Sequence, residues 1–308
     1  MLETRRRGEE TRRRLRERLA AGGIVVLPGA FNPLSAMLIE RHGFEAVYLS
    51  GAVIAADLGL PDVGLTTGSE VAARAAQIAR VTDLPTIVDA DTGFGGPMNV
   101  ARTVQLLEDA GVAGLHLEDQ VNPKRCGHLD GKAVVERDEA VARLRAAYDA
   151  RRDPALLLIA RSDARAVEGL DAMIDRLRAY VDAGADAVFP EALADAHEFA
   201  AVRAAIDVPI LANMTEFGRG ESLRVDQLND LGVAMVIFPV SLLRLAMGAA
   251  DRALVTLRDE GHLGGLRDQM QTRQELYDLL DYASYTTFDD SVYSFATPPL
   301  PPTPPDGR

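Results

Sequence analysis

Eight short and nearly continuous apolar segments recur along the chain, each separated from the next by a stretch with helical periodicity. They begin at Ile24, Ala46, Pro85, Ala113, Ala155, Asp186, Val208 and Ala234. Apolar runs of this kind are typical of strands buried on both faces, as in a parallel sheet covered by helices. Eight successive strand–helix units predict an α/β fold of the (β/α)8 TIM-barrel type. An open doubly wound sheet is the alternative, which the lack of a glycine-rich dinucleotide loop after the first segment disfavours.

Length and composition are those of a globular protein. The chain has 308 residues, of which 47% are hydrophobic and 26% charged, which is enough to bury a large core. Barrels of this size are commonly single domains, so we expect one barrel domain over residues 1–297, with helices at both ends. The Arg- and Glu-rich start predicts a solvated, charged helix, and residues 298–308 predict a Pro-rich tail, extended or disordered.

Charge and cysteine content limit the class of partner. The 33 basic residues against 46 acidic ones give a net charge of −13, which argues against binding nucleic acid or an anionic membrane. No apolar run approaches the roughly 20 residues of a membrane span, and the start lacks the apolar core of a secretion signal. One cysteine cannot form an internal disulfide, which fits a reducing compartment. We therefore expect a cytoplasmic protein.

Polar and charged residues end nearly every predicted strand. They are Tyr48 and Ser50, Asp89 and Asp91, His116 and Glu118, Arg161, Glu191, Asn213 and Thr215, and Ser241. In a barrel the carboxyl ends of the strands converge on one mouth, where active sites are built. Helix capping would explain one or two of these residues, but not all of them together. The pattern predicts an active site at this mouth.

Four acidic residues form a predicted oxygen-rich metal site. Asp89, Asp91 and Glu118, with Asp62 as a further candidate, come without cysteine or paired histidines. Carboxylates suit Mg²⁺ or Mn²⁺ and do not suit zinc. Carboxylates gathered at a buried strand end would repel one another unless a cation joined them.

Three arginines are candidates for binding substrate carboxylates, because a guanidinium matches a carboxylate with two hydrogen bonds. Arg161 ends a core strand, where an unpaired charge would be costly. Arg244 and Arg273 lie in helical stretches, where surface salt bridges are the alternative. His116 either polarises an oxygen, or holds a metal-bound water, or is a hydrogen-bonded core histidine. The mouth is thus suited to a small polyanionic acid.

The only cysteine, Cys126, lies in the charged stretch KRCGHLDGK of residues 124–132. Nearby cations lower a thiol's pKa, and Gly127 and Gly131 would serve as hinges of a loop that closes over a ligand. Such a thiol can attack a carbonyl or donate a proton. Proton donation suits retro-aldol cleavage of a metal-held α-hydroxy acid, which forms a carbanion. An inert thiol is the alternative.

This stretch resembles the signature loop of the isocitrate lyase and phosphoenolpyruvate mutase superfamily, and residues 24–285 are similar to its 2-methylisocitrate lyases. The similarity is carried by YLSGAVIAADLGLPDVGLTT, VDADTGFGG, GLHLEDQVNPKRCGH, ARSDARAVEGLDAMIDR, FPEA, ILANMTEFG and MQTRQELYD. It implies a barrel whose C-terminal helix is exchanged between subunits of a homotetramer, a dimer of dimers. It also implies Mg²⁺-dependent cleavage of a tricarboxylate, 2-methylisocitrate, to pyruvate and succinate in propionate catabolism (the methylcitrate cycle).

The resemblance also implies roles for individual residues. Asp89 and Asp91 hold the metal, and Cys126 is the acid that protonates the succinate carbanion. Tyr48, Lys124, His128 and Arg161 complete the catalytic group. The substrate pocket comprises Ser50, Gly51, Ala52, Gly127, Arg161, Glu191, Asn213, Thr215, Arg244 and Arg273, and Phe189 and Pro239 form a wall around the substrate's methyl group. The base that accepts the hydroxyl proton is not assigned.

Ala52 departs from the family pattern, because some members carry glycine there, which would alter how closely the backbone approaches a carboxylate. Phosphonomutases and oxaloacetate-type decarboxylases share the barrel and the metal site but lack the Cys-Gly-His loop. Isocitrate lyase shares the loop but carries large insertions that are missing here. A binding subunit without activity is a further alternative, although every expected catalytic position is filled.

Overall fold

The computed structural model describes residues 8–125, 127 and 131–293. Its strands are β1 (Val25–Pro28), β2 (Val47–Leu49), β3 (Thr86–Asp89), β4 (Gly114–Glu118), β5 (Leu157–Ser162), β6 (Ala187–Pro190), β7 (Leu211–Asn213) and β8 (Met235–Phe238). Each of the eight predicted apolar segments therefore contains one strand.

The helices alternate with these strands. They are α1 (Gly8–Ala20), α2 (Pro33–Arg41), α3 (Gly51–Asp57), α4 (Gly68–Ala79), α5 (Pro97–Asp109), α6 (Arg137–Ala150), α7 (Arg165–Glu168), α8 (Leu170–Asp182), α9 (Ala196–Ala205), α10 (Val225–Asp230), α11 (Ser241–Glu260), α12 (Arg273–Leu279) and α13 (Tyr282–Val292), with a 3₁₀ helix at Gly264–Gln269. In the described part of the chain, no helix is both long and apolar enough to cross a membrane.

The strands form a closed ring of parallel neighbours. Strands β2 to β6 pair in chain order, and β8 pairs with both β1 and β7. Single parallel bridges join the two sheets, from Gly29 to Tyr48 on one side and from Val188 to Ile210 on the other. The (β/α)8 barrel is therefore confirmed, and the open sheet is excluded.

Side chains alternate between the two faces of each strand and build two separate cores. In β5, Leu158 and Ala160 pack outward with the helices, in a large cluster. Leu157 and Ile159 point inward, in a smaller cluster that fills the barrel. Each inward row runs towards the carboxyl ends of the strands, so the last inward residue of a strand reaches the mouth.

Local sequence signals begin several of the helices. Asn32 forms a capping box with Ser35, and Thr67 forms one with Glu70. In each box, both side chains accept a hydrogen bond from the backbone amide of the other residue. Asp195 accepts hydrogen bonds from the first amides of α9. These caps satisfy amides at the helix starts that would otherwise have no partner.

The N-terminal helix corrects one expectation. We predicted a solvated helix, but Thr11, Arg12 and Leu15 of α1 are buried. Arg12 donates to the carbonyls of Val112 at 2.9 Å and Glu108 at 2.6 Å, which lie before β4. Leu15 belongs to the inner cluster. Helix α1 therefore closes the amino-terminal end of the barrel, opposite the mouth.

The chain divides into two compact units. The first contains the barrel and ends at Leu263. The second contains, among the described residues, the 3₁₀ helix, α12 and α13. The predicted boundary after residue 297 and the predicted Pro-rich tail lie outside the described residues.

Replacing Leu15 by alanine should destabilise the barrel, because this side chain is 1% exposed within the inner cluster. We expect the free energy of unfolding to fall by about 2–5 kcal/mol, as for other buried Leu→Ala changes. Chemical denaturation would measure it. Glu17→Ala, at an exposed position of the same helix, is the control and should change stability by no more than about 0.5 kcal/mol. Equal effects of the two substitutions would contradict the buried role of α1.

Candidate active site

An open cavity lies at the carboxyl ends of the strands. It is lined by Tyr48, Ser50, Ala52, Asp62, Asp89, Lys124, Arg125, Gly127, Arg161, Phe189, Glu191, Asn213, Thr215, Ile237, Pro239, Val240 and Arg244. Within this lining, only Arg125, Ile237 and Val240 were not among the predicted site residues. The structure thus gathers residues from strands all around the barrel into one place.

Strand alternation explains how the charged side chains reach this cavity. Ile87 is in the inner core, and Asp89 follows it two positions later on the same face of β3. In β5 the same row runs from Leu157 and Ile159 to Arg161. The apolar part of each row fills the barrel, and its polar end faces the mouth.

Asp89 and Asp91 are drawn together by the local backbone. Asp91 has φ 46°, in the left-handed region that residues other than glycine rarely adopt. Its amide donates to Asp89 Oδ1 at 3.0 Å, and the amide of Gly51 donates to Asp89 Oδ2 at 3.2 Å. A Cβ on residue 51 would lie 3.0 Å from Asp91 Oδ1 and 3.1 Å from Asp89 Oδ2. Glycine at this position therefore lets the start of α3 approach both carboxylates.

The ammonium of Lys124 compensates this negative charge. Its Nζ lies 2.8 Å from Asp91 Oδ1 and also pairs with Asp62. Burial would lower the pKa of Lys124, but the surrounding carboxylates, with Asp91 and Glu118 foremost, raise it, so the lysine is protonated. Burial and then the adjacent charge of Asp89 raise the pKa of Asp91 to about 6.

The carboxylates at the ends of β3 and β4 could help to hold a divalent cation. Glu118 is buried, and its Oε1 has no hydrogen-bond partner among the described residues. In the same part of the chain, no group of three or more His, Cys, Asp or Glu side chains is arranged to hold a metal. Mg²⁺ is commonly bound through one or two carboxylates, with water or substrate as further ligands. Asp89 and Asp91 fit an ion of that kind and not a fully protein-coordinated one.

Tyr48 and His116 form a buried pair beneath the cavity. The Tyr48 hydroxyl lies 2.7 Å from His116 Nε2, and the two rings are parallel within 8°. Burial lowers the pKa of His116 to about 4, and burial also raises the pKa of Tyr48 well above its usual value. Both groups are therefore neutral near pH 7. His116 holds the tyrosine hydroxyl in place and does not itself line the cavity.

Arg161 is a buried cation surrounded by carboxylates. Its Nε lies 2.9 Å from Asp163 Oδ2 and 3.3 Å from Glu118 Oε2, and its Nη2 lies 3.8 Å from Glu191 Oε1. The guanidinium carbon is 5.1 Å from the centre of the Phe189 ring. These contacts fix the direction of the guanidinium, and Arg161 lines the cavity.

Arg244 lies on the opposite part of the rim, in the first turn of α11. Its Nη1 donates to the carbonyl of Glu216 at 2.7 Å and to Thr215 Oγ1 at 3.4 Å. The guanidinium carbon also lies 5.4 Å from the ring of Phe217, which is 93% exposed. Unlike Arg161, this cation is open to solvent and can be reached by a ligand from outside.

The remaining predicted residues differ in how far the structure describes them. Ser50 precedes α3 and is buried, but its side chain makes no capping hydrogen bond. Arg273 begins α12 in the second unit and is exposed. Cys126 and His128 lie outside the described residues. Gly127 is buried, and a Cβ there would collide with Glu191 Oε1 and Arg161 Nη2.

Sequence reasoning missed Asp163 and Lys132. Asp163 is fully buried and binds Arg161 through both carboxylate oxygens. It stands two residues after Arg161, so the strand alternation that identified Arg161 could have identified it too. Lys132 is the last residue of the charged stretch at 124–132, and its contact with Asp163 spans 31 residues. No local pattern pointed to that contact.

Comparison with known proteins covers nearly all of the chain. The family model for phosphoenolpyruvate phosphomutase matches residues 15–258. A probable 2-methylisocitrate lyase 2 of Corynebacterium glutamicum is 57% identical over 93% of this chain and 94% of its own. The 2-methylisocitrate lyase of Bacillus subtilis is 46% identical, over 94% of this chain and 96% of its own.

A solved structure agrees with these sequence relatives. The crystal structure of 2,3-dimethylmalate lyase, a member of the phosphoenolpyruvate mutase and isocitrate lyase superfamily, superposes with a TM-score of 0.87. It is 35% identical and covers 94% of this chain and 97% of its own. The chain therefore belongs to the phosphoenolpyruvate phosphomutase family, and its predicted resemblance to the 2-methylisocitrate lyases is confirmed.

Proposed function

We propose that the protein is a carbon–carbon lyase that cleaves 2-methylisocitrate to pyruvate and succinate. The observation that carries the proposal is the cavity at the mouth, which is lined by Asp89 and Lys124 together with Arg161 and Arg244. Relatives named for this reaction are similar over nearly the whole chain, which supports the same assignment.

The charges of the cavity suit a tricarboxylate. The lining carries four cationic side chains, Lys124, Arg125, Arg161 and Arg244, and three carboxylates. Arg161 is preorganised by Asp163 and Glu118 to meet a carboxylate inside the cavity. Arg244 is exposed at the rim and can bind a second carboxylate as the substrate enters. Guanidinium groups at two fixed positions orient a substrate with several carboxylates.

A divalent cation, Mg²⁺ with Mn²⁺ as an alternative, completes this charge balance in our proposal. Asp89 and Asp91 would hold it, and Glu118, whose Oε1 has no partner among the described residues, and Asp62, which pairs with Lys124, are further candidate ligands. When bound, it supplies positive charge beside the substrate's carboxylate and hydroxyl oxygens. The cation excess of the lining alone would not neutralise three substrate carboxylates.

The cleavage removes one proton from the substrate and adds another. Loss of the hydroxyl proton turns that carbon into the carbonyl of pyruvate, and the electrons of the broken carbon–carbon bond pass to the neighbouring carbon. That carbon must be protonated to give succinate. We assign this proton to Cys126, assisted by Lys124 and His128, as the family resemblance implies. Tyr48, whose hydroxyl burial keeps neutral and which lies against His116 Nε2, can donate a hydrogen bond to a substrate oxygen.

The proposal includes a cytoplasmic homotetramer that exchanges its C-terminal helices between subunits. Helix α11 supports an assembly, because none of its residues is buried, and Met247 and Leu254, seven positions apart on one face, are 60% and 65% exposed. Apolar side chains exposed in a row on a long helix are typical of subunit contacts.

The cavity should discriminate between substrates that differ by one methyl group. Phe189 and Pro239 line the cavity, and a shaped apolar wall discriminates one methyl group by about 10–200-fold. We expect kcat/KM for 2-methylisocitrate to exceed that for isocitrate by this factor, measured by coupled assays for pyruvate and glyoxylate. Equal values, or a preference for isocitrate, would overturn the assigned substrate and leave the broader lyase assignment.

Removing divalent metal should abolish turnover, and Mg²⁺ or Mn²⁺ should restore it. Asp89→Ala should have the same effect as the chelator, because it removes one of the two carboxylates that would hold the ion. Asp138→Ala, at an acidic side chain that is 95% exposed, is the matched control and should keep full activity. Undiminished turnover in excess chelator would rule out the metal.

Cys126→Ser should leave the fold intact and reduce kcat by about 10²–10⁴-fold, because a hydroxyl is a far weaker acid than a thiol. Steady-state kinetics would measure the loss, and circular dichroism would check the fold. A serine variant that kept more than about a tenth of the activity would be incompatible with the assigned protonation, since even the smallest expected loss is larger.

A further inference from the structure

Lysine is almost absent from this chain. Of its 33 basic residues only Lys124 and Lys132 are lysines, and both lie in the stretch of residues 124–132. Everywhere else the chain uses arginine, including at its buried ion pairs. Lysine carries a compact charge with three donors, whereas arginine carries a planar fork, so the two are not interchangeable at a confined site. Each of the two lysines places its ammonium against a buried carboxylate, Lys124 against Asp91 and Lys132 against Asp163. Lys124 binds the acidic cluster, which leaves Lys132 to be explained.

The side chain of Lys132 is buried between two acceptors. It is 3% exposed, and its Nζ donates to the backbone carbonyl of Gly127 at 2.5 Å and to Asp163 Oδ1 at 2.9 Å. The cavity lining includes Gly127 but not Lys132. The ammonium thus acts from behind the cavity, on the backbone of the charged stretch.

Asp163 connects this lysine to the substrate-binding arginine. The Asp163 carboxylate accepts a hydrogen bond from Lys132 on Oδ1 and hydrogen bonds from Arg161 on both oxygens. The carboxylate is 0% exposed, and the Asp163 amide donates to Asp119 Oδ1 at 2.8 Å. Asp119 is held in turn by the Tyr180 hydroxyl at 2.8 Å. Asp163 is therefore a rigid point that both cations share.

Gly127 is held in close contact with the same arginine. A side chain at this position would collide with Arg161 Nη2 and Glu191 Oε1, so the backbone itself lies against the ion pair. The carbonyl oxygen of Gly127 accepts a hydrogen bond from Lys132 Nζ, and this contact keeps the Gly127 backbone against the ion pair. Without the ammonium, a buried carbonyl and a buried carboxylate would each lose a charged partner.

We propose that Lys132 is a positioning residue, whose ammonium fixes the Gly127 backbone against Arg161 by way of Asp163. The buried carboxylate of Asp163 then sets the position of Gly127 relative to Arg161. This inference rests on the proposed function for its catalytic consequence, because Gly127 follows the assigned acid in sequence. The positioning itself concerns the free protein and needs no substrate.

The test compares Lys132→Ala with the wild-type protein in hydrogen exchange and in kinetics. Amides of residues 124, 125, 127 and 131–133 should exchange about 10-fold faster or more in the variant, since a hydrogen bond to a charged group contributes about that factor. Amides of β4 and β5 should be unchanged. The kcat should fall by a similar factor, while KM changes little because Arg161 keeps its own contacts with Asp163. Ethylammonium should restore kcat, and tetramethylammonium, which has no N–H, should not.

Arg137→Ala is the matched control, because it removes an exposed cation five residues further along the chain. It should leave exchange and kinetics unchanged. Lys132→Met provides a second variant if the alanine protein does not fold. Wild-type exchange in both Lys132 variants, or faster exchange throughout the barrel without rescue by ethylammonium, would overturn the positioning role. If 2-methylisocitrate is not cleaved by the wild type, the exchange result still stands by itself.

Discussion

Alternation of side chains around a closed ring of parallel strands governs the arrangement of this protein. Each strand has one row of residues inside the barrel, and the mouth receives the last members of those rows. The row of β3 runs from Ile87 to Asp89, and the row of β6 runs from Ala187 to Phe189. A shift of one residue in either strand would send these side chains outward among the helices. Closure of the barrel then brings rows that are distant in sequence to one cavity.

The cavity collects charges that are buried, and their mutual compensation follows from the cost of burying a charge. Removing an ion from water costs several kcal/mol, which only a close partner and further hydrogen bonds offset. Arg161 accordingly has three carboxylates around it, and Lys124 bridges Asp62 and Asp91. The compensating contacts also restrict the direction of each side chain. Preorganisation of this kind favours a ligand whose own charges match the fixed positions.

The two ends of the barrel serve different functions. At the amino-terminal end, Arg12 ties α1 to backbone carbonyls, and Leu15 completes the inner core. Neither Arg12 nor Leu15 lines the cavity at the mouth, so we assign these contacts to the stability of the barrel. At the carboxyl end the charged residues line the cavity, where a ligand can reach them. This separation is the usual one in barrels, where chemistry lies on the loops that follow the strands.

The eight strands, the barrel and most of the side chains that line the cavity could be predicted from the sequence. Those features depend on local patterns, namely an apolar run for a buried strand and a polar residue at its end. The sequence did not predict that α1 is partly buried, that Lys124 bridges Asp62 and Asp91, or that Lys132 binds Asp163. The lysine contacts join residues 31 to 62 positions apart, and a long side chain can reach several acceptors from one backbone position. Which acceptor it meets depends on how the loops cross the mouth, and no local periodicity records that crossing.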